Sequence, residues 1–147
     1  MKAIYINCET REIKEIEVEG SYQAMYKVMG CELIQPIQFD DIHDIHLDEE
    51  GFLQHPHRGY MVCAGQLLTG ICLILGIKKD GNLKSHNLNL DDIRGQIVFL
   101  NKQQAYAYAQ EVDRRNAEEM TNHIHSRNRP DIIVCMRLTD LFEGEEK

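Results

Sequence analysis

The amino-acid sequence predicts a single α+β domain: an antiparallel or mixed sheet, one short helix, and one long C-terminal helix followed by a strand. Three observations predict it. Two N-terminal segments alternate apolar and polar residues at the strand period. Tyr22, Met25, Tyr26 and Met29 then fall at i, i+3, i+4 and i+7, one face of a helix. From Lys102 to His125 a second helical stripe carries Ala105, Tyr108, Val112, Met120 and Ile124. The 147 residues suit one domain, and 43% hydrophobic residues provide enough apolar surface to exclude disorder as the main state.

The elements follow in order. Ala3–Asn7 and Glu12–Val18 read as a hairpin around the polar turn Cys8–Arg11, and an imperfect step in the second strand suggests a bulge. Ser21 is a suitable N-cap for a helix over Tyr22–Met29, and Gly30 a suitable stop. Leu33–Phe39 reads as a strand that Pro36 restricts to an edge or a bulge, because proline donates no ladder hydrogen bond. Ile42–Leu47 is a second short strand, closed by a turn over Asp48–Gly51. Tyr60–Ala64 and Ile71–Leu75 are the most apolar strands, and Asp80-Gly81 is the tight corner after them. Leu88–Ile93 reads as a helical turn capped by Asn89 or Asp91, and Ile97–Leu100 as a strand. Asn101 caps the long helix, which Pro130 ends. Asp131–Leu138 reads as a strand and completes a possible βαβ crossover, with a frayed acidic tail after it.

Charge narrows the function classes. Sixteen basic against 24 acidic residues give a net charge of −8, which argues against a large nucleic-acid-binding surface. The N-terminus lacks the apolar core of a signal peptide, and the longest apolar run, Ile71–Ile77, is too short to span a bilayer. A cytoplasmic protein is the expectation. Five cysteines, an odd count without a CxxC pair, fit reduced and buried thiols better than a disulfide framework.

Several stretches carry a resemblance. The opening MKAIYINCETREIKEIEVEG over Met1–Gly20 leads to a tyrosine-rich helix. Asp48–Leu53 follows with an Asp-Glu-Glu-Gly turn, and Gly65–Asn82 carries ICLILG and a Lys-x-Asp-Gly-Asn turn. Over residues 1–100 the chain resembles a family of small domain-of-unknown-function proteins carried by bacteriophages and other mobile elements. Residues 101–147 are then a helix–strand extension. The resemblance implies a context and no catalytic residue: phage accessory proteins of this kind bind a host enzyme or sequester a nucleotide signal of host defence.

Three clusters can carry chemistry. Asp40–Glu50 mixes carboxylates with His43 and His46, a donor set for a divalent metal. On a strand the two histidines point to opposite faces, so the preferred reading is a solvated acidic edge. His55-Pro56-His57-Arg58 is a loop in which two imidazoles and a guanidinium can meet a phosphate. Arg114, Arg115, His123, His125, Arg127 and Arg129 gather toward the end of the long helix, where cations complement the helix dipole or attract a phosphate-bearing ligand. Glycine-rich phosphate loops, zinc-protease motifs and nucleophile elbows are absent from the sequence.

The functional expectation is a non-enzymatic binding protein without a cofactor. It acts on a host protein or a small phosphorylated ligand through His55, His57, Arg58, Arg127 and Arg129. One alternative is an acidic mimic of DNA that presents Asp40–Glu50 to a nucleic-acid-binding protein. Another is a small metal-dependent hydrolase built on His43, His46, His55 or His57. An apolar strand over Ile132–Met136 at a sheet edge makes a homo-oligomer an open option.

Overall fold

Alternation in the N-terminal segments becomes an antiparallel hairpin, β1 (Lys2–Asn7) and β2 (Glu12–Glu17). Asn7 shapes its turn: the side-chain oxygen accepts the backbone N–H of Glu9 and Thr10 at 3.0 and 3.2 Å. The structure is a computed structural model that describes residues 1–50 and 59–127, together with Thr139 and Phe142; over 120–127 it describes the backbone alone.

The described residues form two antiparallel sheets and three helices, an α+β fold as predicted. The larger sheet has the order β2-β1-β7-β4-β3, where β3 is Ile34–Asp40, β4 is His43–Asp48 and β7 is Ile71–Ile77. A two-residue strand, β8 (Leu83–Lys84), also pairs with β7. The smaller sheet is β6-β5-β9, with β5 Tyr60–Cys63, β6 Gln66–Thr69 and β9 Val98–Leu100.

Pro36 lies in regular register on β3, an edge strand of the larger sheet, which is the edge option that proline leaves open; a separate register shift falls between Gln38 and Asp40. The solvated edge expected over residues 40–50 is corrected. β4 lies between β3 and β7, and Ile45 is fully buried. The charges of this stretch disguised an inward alternation of His43, Ile45 and Leu47.

Helix α1 (Tyr22–Met29) has the predicted bounds. The Ala24 N–H donates to Ser21 Oγ, and Gly30 closes the helix in the left-handed conformation. Its Met25 and Met29 pack with Ala3, Val18, Leu73 and Leu75 on one face of the larger sheet. The opposite face buries Ile4, Ile6, Ile45, Cys72 and Ile74 with Met61, Cys63 and Leu68 of the smaller sheet and Ile93 of helix α2 (Leu90–Gln96). Asn89 caps α2, accepting the N–H of Asp91 and Asp92. Strand β6 escaped sequence reading. Its two-residue turn places Ala64 at φ 52 and Gly65 at φ 73, a left-handed pair usually marked by Asn-Gly.

The chain divides into two compact units, Met1–Asn101 and Lys102–Lys147. In the second, α3 (Lys102–Arg127) extends as predicted, with Ala105, Tyr108, Ala109 and Val112 along its covered side. Tyr106 meets Phe142 edge to face with centroids 5.5 Å apart, and Asp113 accepts the Thr139 N–H at 2.9 Å. The strand expected over Asp131–Leu138 lies outside the described residues.

Candidate functional site

Chemistry in the first unit concentrates where β4, β2 and the segment after β8 meet. His43 is 1% exposed. Its Nδ1 lies 2.8 and 3.0 Å from the two carboxylate oxygens of Asp40, and Nε2 accepts the Asn87 N–H at 3.3 Å. A ring that faces a carboxylate at Nδ1 and accepts an N–H at Nε2 is the neutral Nδ1–H tautomer. Burial alone would raise the Asp40 carboxyl, but the Ile42 N–H and the His43 ring together hold it below its ordinary value.

His86 repeats the arrangement with the nitrogens exchanged. Its Nε2 lies 2.7 Å from Glu15 Oε1 on β2, and its Nδ1 accepts the Leu88 N–H at 3.1 Å. The two rings therefore clamp one strap, Ser85–Leu88. Two further bonds tie it to β1: the Lys2 N–H donates to Ser85 Oγ at 2.8 Å, and the His86 N–H to the Lys2 carbonyl at 3.0 Å. Gly76 on β7 makes room for it. A Cβ there would lie 2.8 Å from the Ser85 carbonyl oxygen, a backbone atom that cannot swing aside.

His46 is placed differently. It is fully buried on the α1 side of β4, opposite His43, and neither ring nitrogen has a hydrogen-bond partner among the described residues. Tyr22 covers it edge to face at 6.4 Å between centroids. Burial lowers its pKa from 6.5, and the Asp44 carboxylate acts in the opposite direction.

The metal-ligand pair considered from sequence is thus split across the sheet. Among the described residues no group of three or more histidine, cysteine or acidic side chains is placed to hold a metal ion. His55, His57, Arg58 and Arg129 lie outside the described residues, as does the side chain of Arg127. Arg114 and Arg115 of α3 form ion pairs. Arg114 contacts Glu111 and Glu118 at 2.6 Å each, and Arg115 reaches Glu111 at 3.8 Å.

The described chain resumes at Gly59, which packs closely against the β1–β2 turn. Gly59 adopts φ +77, and a Cβ there would lie 2.2 Å from the Cys8 carbonyl oxygen, so only glycine fits. The Thr69 hydroxyl donates to the Gly59 carbonyl, and the Cys8 N–H to Gly70 O at 2.9 Å.

The nearby thiols are quiet. Burial, with the Cys63 thiol adding to it, pushes Cys8 up to about 12, and burial pushes Cys63 up to about 11. Cys72, fully buried, is raised well above 9.0 for the same first reason. Such thiols stay protonated at neutral pH and are poor nucleophiles.

His86 and Glu15 were not singled out from sequence. They lie 71 residues apart, and no local pattern announces a long-range pair. Asp40 and His43, three residues apart, were both placed in the acidic cluster by the sequence, but their pairing was not read from it.

No helix among the described residues is long and apolar enough to cross a membrane. Residues 1–97 match the model of a family described as Domain of unknown function (DUF3846). Searches of the curated proteins and of the solved structures found no match.

Proposed function

The chain belongs to the DUF3846 family, and we propose that it works as a non-enzymatic binding protein, taking a host protein or a small phosphorylated ligand. The observation that carries this reading is how the described imidazoles are used. Both nitrogens of His43 and of His86 are engaged, one with a carboxylate and the other with a backbone N–H of the strap, which leaves neither ring free to act as a general base. The buried thiols support it, because they are kept protonated.

Recognition then falls to the surface. The sequence candidates for it are His55, His57 and Arg58. A guanidinium with two imidazoles suits a phosphate, since Arg offers paired donors. Arg127 and Arg129 are the second candidates for the same ligand class. Carriage by a phage or mobile element and a role against host defence belong to this proposal and rest on the sequence resemblance.

The acidic-mimic reading gains little support from the geometry. Asp40 is tied to His43, and Asp44 is half-buried, so Asp40–Glu50 offers no continuous row of free carboxylates. The metal-hydrolase reading loses its first pair because His43 and His46 face apart.

Native mass spectrometry of the purified chain, followed by calorimetry with mono-, di- and cyclic oligonucleotides, tests the small-ligand half. The expected result is a bound phosphorylated species whose affinity falls at least about tenfold in His57→Ala/Arg58→Ala. No heat and no stabilisation with any of them would leave the protein partner alone. Turnover of a nucleotide by the pure chain would contradict the non-enzymatic reading.

A further inference from the structure

We propose that His46 is an acid-operated latch on the first turn of α1: when the ring gains a proton, the Tyr22 side of the helix–sheet packing opens. The latch is a conformational device, independent of the ligand-binding reading above.

The geometry sets the argument. A neutral imidazole has one donor and one acceptor, and here both are buried without a partner among the described residues. A second proton would add a charge and a second orphaned donor to an apolar layer, which is far more costly than the neutral ring. The neighbours offer no relief in place. The residues paired with His46 are Pro36 on β3 and Leu73 on β7, and neither titrates. On β4 itself, Asp44 and Asp48 flank the ring on the same face, two residues away on either side. From α1 the titratable group in contact is Tyr22, which presents its ring. Burial opposes the proton and Asp44 attracts it, so the protonated ring is driven outward, toward water and the Asp44 carboxylate.

Tyr22 is the movable part. It is the first residue of α1 and is 48% exposed, whereas Met25 and Met29 anchor the helix. The first turn can lift while those anchors stay seated.

The chain contains no tryptophan, so Tyr22→Trp places a single reporter over the ring. Between about pH 8 and pH 5, the range in which histidine switches, its emission is followed beside the far-UV circular dichroism. The expected result is a red shift with a midpoint below 6.5 and unchanged far-UV signal. The shift is expected to vanish in Tyr22→Trp/His46→Leu, with Tyr22→Trp/His46→Phe as the second background. An absent shift with His46 in place overturns the proposal. So does a shift that persists in both double variants, or an emission change that merely follows loss of far-UV signal.

Discussion

His43 and His46 stand three residues apart on one strand, both buried, and their fates are opposite. On the face of His43 the strap 85–88 delivers a backbone N–H, and Asp40 delivers a carboxylate. On the face of His46 helix α1 delivers an aromatic edge and two methionines, with nothing to pair a ring nitrogen. A histidine's role in this protein is set by what the next layer brings to it, and the strand alone does not decide it. One face is closed by polar bonds that fix a tautomer. On the other, apolar packing covers the ring, with Asp44 and Asp48 flanking it along the strand.

Substitutions break this contrast in a definite order. The largest effect is expected for His43→Ala. It opens a cavity at a fully buried ring, takes the acceptor from the Asn87 N–H and releases Asp40, at a cost of about 3 kcal/mol in urea unfolding. Gly76→Ala attacks the same face through the backbone, because its Cβ meets the Ser85 carbonyl. A loss of about 2 kcal/mol is expected, with faster amide exchange at Asn87 and Leu88. Were both variants as stable as the parent, the strap would not be a structural clamp.

The opposite face is expected to respond with the opposite sign. His46→Leu removes two orphaned polar atoms and keeps a similar volume, so a gain of about 1 kcal/mol at neutral pH is expected. The gain grows on acidification. The folded pKa of His46 lies below 6.5, so below that pH the unfolded chain takes up a proton that the folded chain refuses. Stability of the parent therefore falls as pH drops through 6.5, and His46→Leu lacks that part of the loss. The smallest effect is expected for Ala64→Asn. Asparagine tolerates the left-handed φ of the β5–β6 turn better than alanine, for a gain of about 0.5 kcal/mol in thermal unfolding.

The same contrast explains what the sequence disclosed. Helix α1, the first hairpin and the Asn89 cap were legible because each signal is local: a spacing, an alternation, a side chain two or three residues from its partner. Strand β6 was hidden because its turn uses Ala64 where asparagine would have marked it. β4 was misread because its carboxylates suggested solvent, although His43, Ile45 and Leu47 already alternated inward. The strap was invisible, since His86 finds Glu15, and His43 finds Asn87, only after the sheet is assembled. His55, His57 and Arg58 are candidates from the sequence and lie outside the described residues.

Nitrogen-15 NMR of the histidine rings measures both faces of β4 at once. The account predicts that, at neutral pH, His43 is the Nδ1–H tautomer with Nε2 as the acceptor, and that His46 is neutral and takes up a proton only below pH 6.5. A doubly protonated or Nε2–H ring at His43, or a His46 that titrates at or above 6.5, would contradict it.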